Sequence, residues 1–288
     1  MLNSSTGEAL IKSNFEKFDL RDGTHIRFTK TGKGEPLVLL HTIRNRLEYF
    51  DLVIPYLKDN YTVYAIDLPG FGDSPVNKNT NYDQSFMTDV VIDFIEKNDL
   101  SNVTLAGESI GGVLPLTVAN KISNRINKIF SFNPYDYDKK FGDGVRRGNL
   151  IARFIIWSMS LPMLGNFFSM LESKIVLWLI FMGGVHNKSA ITNKYLSILT
   201  SSIWKSGNLY HLRNVFLNFH SWTEAKKVYK NIKVPIKLIY GKYDWSNDIE
   251  RNETMHLLGL NQYITLDNVG HFSFLEAPEK IAEIINKV

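Results

Sequence analysis

Asn102-Val103-Thr104-Leu105-Ala106-Gly107-Glu108-Ser109-Ile110-Gly111-Gly112-Val113-Leu114-Pro115-Leu116 joins an apolar run, a serine bracketed by glycines and the start of a helical pattern. G-x-S-x-G by itself is a weak signal, because glycines flank serines often by chance. The context strengthens it: a strand-like run enters the motif and a helix-like run leaves it. A sharp turn there holds the serine in a strained backbone with Oγ exposed, and the small neighbours let the chain cross itself. The amide of Ile110 then points from the helix N-terminus toward any oxyanion formed at the serine. The competing reading is a glycine-rich turn without chemistry.

A serine hydroxyl needs a base within hydrogen-bond reach, and the base needs an orienting carboxylate. Of seven histidines, His271 stands out. It lies in Asp267-Asn268-Val269-Gly270-His271-Phe272, after the strand-like Tyr263-Ile264-Thr265-Leu266 and before a helix that Pro278 opens. The acid is suggested by Ile236-Lys237-Leu238-Ile239-Tyr240-Gly241-Lys242-Tyr243-Asp244, again a strand, a glycine turn and a carboxylate. Asp248 in the same loop and Asp136 after an earlier strand are the competitors. Three strands thus end in a serine, an acid and a histidine, in that order.

The remaining pattern alternates. Phe15 to Leu20 and Thr24 to Thr31 form a hairpin around Arg21-Asp22-Gly23. Leu37 to His41 and Tyr61 to Ile66 are strands flanking a helix near Leu47 to Leu57. Phe86 to Asn98 carries Phe86, Val90, Val91, Phe94 and Ile95 on one helical face. Ile126 to Phe132 is a further strand, and the total is eight. Strands alternating with helices imply a mostly parallel sheet covered on both faces.

On these motifs the chain resembles the α/β-hydrolase superfamily, in its esterase, lipase and dehalogenase-like branch, over nearly its whole length. Asp67-Leu68-Pro69-Gly70-Phe71-Gly72-Asp73-Ser74 is similar to that branch's D-x-P-G-x-G-x-S loop. Gly107 to Gly112 matches the nucleophile elbow, Gly241 to Asp244 the acid loop and Val269 to Phe272 the histidine loop. Glu276-Ala277-Pro278 also fits. The resemblance implies an eight-stranded α/β core with an inserted helical lid, and a triad of Ser109, Asp244 and His271. It places the second oxyanion amide after the third strand, at Ile43 in Leu40-His41-Thr42-Ile43-Arg44, beside that of Ile110. There the chain departs from the family, because Thr42 replaces the usual glycine and restricts the loop. Arg44 takes a position that is often proline or small. It either binds a substrate carboxylate or forms a salt bridge at the lid seam.

The 288 residues suffice for a core at 1–133 and 223–288 with a lid at 134–222. The span 133–222 holds ten Lys/Arg against four Asp/Glu in a chain of net charge +4, so the excess positive charge belongs to the lid. It also holds Trp157, Trp178, Trp204 and Trp222. Leu150 to Leu161 and Ile175 to Met182 are apolar on more than the single stripe that a surface helix needs. They can pack on the core, line an apolar pocket through Trp157, Trp178 and Phe181, or rest as a weak peripheral contact on anionic membrane. Without cysteine, histidine clusters or phosphate-binding glycine loops, no metal or cofactor is expected, and no nucleic-acid partner. Met1 to Glu8 carries no leader pattern, so the expected compartment is the cytoplasm.

A serine nucleophile suits acyl transfer from esters, thioesters or amides. Relatives that open epoxides or displace halide use aspartate instead. The expectation is therefore a carboxylic ester hydrolase acting on a small to medium apolar acyl substrate. The alternatives are a ligand-binding regulator of the same fold with little turnover, or a C–C bond hydrolase or acyltransferase.

Overall fold

The computed structural model describes residues 15–137, 142–161, 165 and 173–287. The N-terminal stretch read for a leader lies outside them. Eight strands form one sheet: β1 (Phe15–Asp19), β2 (His25–Gly32), β3 (Glu35–Leu40), β4 (Tyr61–Ile66), β5 (Val103–Glu108), β6 (Ile126–Phe132), β7 (Ile236–Gly241) and β8 (Ile264–Leu266). Their spatial order is β1-β2-β4-β3-β5-β6-β7-β8. Only β2 runs antiparallel to the rest, pairing with β1 as a hairpin on one side and with β4 on the other. From β4 to β8 every pairing is parallel.

Helices cover both faces. α1 (Ile54–Leu57), α2 (Gln84–Lys97) and α3 (Ile110–Ile122) precede β6. α4 (Val145–Gly148), α5 (Leu150–Ser160), α6 (Lys174–Met182), α7 (Asn193–Thr200), α8 (Asn208–Leu217) and α9 (His220–Glu224) all lie between β6 and β7. α10 (Asp248–Leu257), α11 (Ser273–Glu276) and α12 (Pro278–Asn286) complete the chain. β5 is buried along its whole length and α3 from Ile110 to Ala119, which is why the sequence there is apolar without alternation. α2 buries Val90, Val91, Phe94 and Ile95 as its periodicity requires, and Asp83 caps it by accepting from the Phe86 amide.

The helix expected over 47–57 is broken into a 3-10 turn, Leu47–Phe50, and the single turn of α1. The break falls ahead of Pro55, which has no N–H to bond the carbonyl four residues back and opens a new helical turn instead. Asp67 Oδ1 accepts from the Leu47 amide at 2.7 Å before the first turn, and Arg46 and Arg27 both bind Glu48. The same Asp67 explains its motif. Its Oδ2 accepts from Arg27 Nε at 2.6 Å and from the Asp73 amide at 2.8 Å. Gly72 turns with φ +48, and a Cβ there would sit 2.2 Å from the Asp67 carboxylate.

Parallel strands deliver their carboxyl ends to one edge of the sheet, where ligands bind in folds of this kind. The helical segment between β6 and β7 docks on that edge. Arg46 Nη1 reaches the hydroxyls of Ser201 and Ser202 at 2.9 Å each. Lys205 Nζ donates to the carbonyls of Gly70, Gly72 and Ser74 at 2.7, 2.9 and 2.7 Å.

Candidate active site

Ser109 sits between β5 and α3 with φ 61 and ψ −121, a strained backbone for a residue with a side chain. The chain pays this strain for close crossing. A Cβ on Gly107 would lie 2.0 Å from the Gly111 carbonyl oxygen, and one on Gly111 would lie 2.1 Å from that of Leu40. Both contacts are impossible, so glycine is obligatory at the two flanks. The elbow is further fixed by the Ser109 amide donating to the Phe132 carbonyl at 3.0 Å. Ile110 is the first residue of α3, so its N–H has no acceptor within the helix.

β7 and β8 are neighbours, which brings Asp244 and His271 together. Asp244 Oδ1 accepts from His271 Nδ1 in a very short contact, with both side chains fully buried. Asp244 Oδ2 accepts from the amide of Ser246 at 3.0 Å and from its hydroxyl. Burial would raise the Asp244 carboxyl, but the His271 imidazole and the Ser246 hydrogen bonds outweigh it and hold the acid below the usual carboxylate range. Asp136 is engaged elsewhere, with Thr254 at 2.9 Å and Tyr229 at 3.1 Å. Asp248 is an exposed residue in the first turn of α10.

Ser109 Oγ and His271 Nε2 are both buried, and neither has a hydrogen-bond partner among the described residues. The surroundings thus leave both atoms available, and catalytic hydrogen bonds are often long before substrate binds. Neither Ser109 nor His271 has exposed surface, so charge developing there meets fixed dipoles rather than water.

Ile43 follows β3, the strand paired with β5 through Leu40 and Gly107. It is buried beside the elbow strand. The Thr42 departure is absorbed locally, for Thr42 keeps a negative φ and the left-handed residue is Arg44, φ 57. His41 pins the loop: its Nδ1 faces the Thr42 carbonyl at 2.7 Å and its Nε2 accepts from the Leu68 amide at 3.0 Å. Burial lowers the His41 imidazole to about 4, so it stays neutral in this role. Arg44 turns into the seam between core and insertion, with Nη2 3.2 Å from Met159 Sδ and the guanidinium 5.6 Å from the Phe216 ring. It borders a cavity of about 40 Å³ shared with Asn45, Phe71, Leu177, His211 and Leu212.

Phe181 stacks on Phe272 at 4.5 Å, next to His271. Trp157 and Trp178 do not join it. Both lie on the outer faces of their helices and are nearly half exposed, which corrects their expected place in a pocket. The cause is that α5 and α6 are apolar all round, so the sequence pattern does not distinguish their two sides.

Four residues were not singled out as site residues by the sequence. Trp245 stacks flat on His271 at 3.9 Å. Ser246 completes the shell of Asp244. Glu108, within the elbow motif itself, accepts from the Ser273 amide at 2.9 Å and pairs with the Tyr49 hydroxyl. Burial lifts its carboxyl to about 8. Asn133 donates to Glu108 Oε1 at 3.0 Å and to the His271 carbonyl at 3.1 Å, and accepts from the Gly241 amide at 2.7 Å. It ties the ends of β5, β6 and β7 to the histidine loop. Glu108 and Asn133 stand at strand ends, and Trp245 and Ser246 directly follow Asp244, so each lies beside a position that the sequence marks.

Among curated proteins, the chain is 24% identical over 252 residues to the uncharacterized hydrolase YugF of Bacillus subtilis, spanning 87% of this chain and 88% of that one. It is 29% identical over 107 residues to a pimeloyl-[acyl-carrier protein] methyl ester esterase of Legionella pneumophila, covering 37% of this chain and 41% of that protein. Among solved structures it is similar to the epoxide hydrolase CorEH, with a TM-score of 0.80 and 19% identity over 95% and 97% of the two chains. Residues 35–278 match the family model described as the alpha/beta hydrolase fold. By that match and by its eight-stranded sheet, the chain belongs to the α/β hydrolase family.

Proposed function

We propose that the protein is a serine hydrolase that cleaves a carboxylic ester or thioester of a small to medium apolar substrate through an acyl-enzyme on Ser109. The observation that carries this reading is the strained Ser109 with an unpaired Oγ, at the same sheet edge as a histidine whose Nδ1 is held by Asp244. His271 Nε2 takes the hydroxyl proton as Ser109 attacks the carbonyl carbon. The amides of Ile110 and Ile43 hold the oxyanion. Asp244 fixes the tautomer and stabilises the imidazolium. His271 then gives its proton to the leaving alkoxide or thiolate, and the same cycle with water releases the acid. The helical insertion acts as the lid, and its inner apolar residues Met159, Phe181 and Phe216 favour an oily acyl group. The Legionella relative is named for a methyl ester, the same class of bond.

The test is a fluorophosphonate label followed by p-nitrophenyl esters of rising acyl length. Labelling must vanish in Ser109→Ala, and multiple turnovers must occur. Each methylene buried is worth about 0.8 kcal/mol, so kcat/KM should climb from acetate to at least hexanoate. Label persisting on another serine overturns the nucleophile. A single stoichiometric release without turnover favours a ligand-binding regulator, and a sharp preference for acetate rejects the apolar pocket.

A further inference from the structure

Helices α5 and α6 carry two apolar faces each, and the fold uses one. The inner faces, Ala152, Ile156 and Met159 on α5 and Leu177, Ile180 and Phe181 on α6, are buried. The outer faces are not: Leu150 is 81% exposed, Phe154 59%, Trp157 45%, Ile175 70% and Trp178 42%. Leu150, Phe154 and Trp157 follow i, i+4, i+7 spacing, and Ile175 and Trp178 are three apart, so each set forms one stripe. The Phe154 and Trp157 rings touch, with centroids 6.0 Å apart. Single exposed apolar residues are ordinary on a protein surface. Five large ones on two packed helices are a patch that requires an occupant.

The helices that carry the patch are basic. Residues 144–161 and 173–187 contain no Asp or Glu, and they carry Arg146, Arg147, Arg153 and Lys174. Arg146 and Arg147 lean on Asp143 and Glu250. Lys174 bonds the Ser197 hydroxyl at 2.9 Å, and Arg153 is exposed on the α5 stripe's flank. This rim disfavours a second copy, because a two-fold interface built on the face would set like charges against each other. It suits a surface of phosphates. Indole rings also prefer the boundary between headgroups and acyl chains. No helix among the described residues is long and apolar enough to cross a membrane, so the contact would be peripheral.

We propose that the outer face of α5 and α6 docks on anionic phospholipid bilayer, with Phe154, Trp157, Ile175 and Trp178 entering the interface and Arg153 and Lys174 meeting phosphate. The contact is independent of the chemistry at Ser109. The test is flotation of the full chain with vesicles of phosphatidylcholine alone or with phosphatidylglycerol added. Binding should require the anionic lipid and fall about tenfold or more when salt rises to roughly 0.5 M. Indole emission should shift to the blue and be quenched by brominated acyl chains. Phe154→Glu with Ile175→Glu should reduce binding by about tenfold or more, with the melting temperature and the hydrolysis of a water-soluble ester unchanged. Failure of the unaltered chain to bind anionic vesicles overturns the proposal, as does undiminished binding of the double variant. A vesicle-free dimer that the same two substitutions dissociate also overturns it, and assigns the face to a second copy.

Discussion

At the scale of single residues, Glu108 is a carboxyl at the elbow that takes no part in the proposed chemistry. It is fully buried, and its oxygens serve Ser273, Asn133 and Tyr49. Burial moves it from 4.5 to about 8 in the folded chain. A raised carboxyl stabilises the fold fully below its unfolded value and loses that contribution as pH rises through the folded one. Each pH unit between the two values is worth about 1.4 kcal/mol. Glu108→Gln keeps the shape and supplies the donor that the protonated acid would. We therefore expect the variant to gain on the parent steadily in thermal melts from pH 5 to pH 8.5. A difference that stays flat with pH would show that Glu108 is ionised throughout. Asp244 is the opposite case, a carboxylate held charged by its partners. Asp244→Asn should cost about 10⁴ in kcat by favouring the wrong imidazole tautomer, whereas Asp136→Asn should leave kcat close to the parent value. The reverse result would move the acid to the end of β6.

At the scale of elements, the crossing of β3, β5 and α3 sets the tolerance of the elbow. Gly111→Ala would put a methyl group against the Leu40 carbonyl, and overpacking of this kind costs about 1–3 kcal/mol or more. A lowered melting temperature is expected together with lost labelling of Ser109, since the proposed oxyanion amides ride on the same contact. Full labelling in a stable Gly111→Ala variant would show that the crossing is softer than it looks. This part of the fold was legible because strands buried on both faces have continuous apolar sequence, and because serine, acid and histidine each follow a strand end. The broken helix at 47–57 was missed although Pro55 marks it, because apolar spacing continues across the break while the proline's missing N–H does not alter that spacing. The sidedness of α5 and α6 was hidden for a different reason. Periodicity reports which face avoids water, and these helices have no such preference written in them. Lys205 illustrates a third limit. Its ligands are three carbonyls, which leave no trace in residue identity.

At the scale of the molecule, that lysine joins the insertion to the D-x-P-G-x-G-x-S loop. Burial lowers its ammonium to about 8, so the contact is held against a desolvation cost. Lys205→Met should remove the cost together with three charge-assisted bonds, for a net loss of about 1–3 kcal/mol. Hydrogen exchange should quicken in α7 and α8 before it does in β5, and unchanged protection of those helices would mean that the other contacts of the insertion hold it without Lys205. A second attachment has a wider consequence. The His271 amide donates to the Gly184 carbonyl at 2.6 Å, and Trp245, stacked on the imidazole, donates to Gly183 at 3.0 Å. The backbone of the proposed base is therefore anchored to the insertion rather than to the sheet alone. A chimaera that grafted a foreign cap onto this core would inherit a displaced histidine unless the Gly183-Gly184 corner travelled with the core, so the natural splice point for exchanging specificity lies inside the insertion and not at its ends.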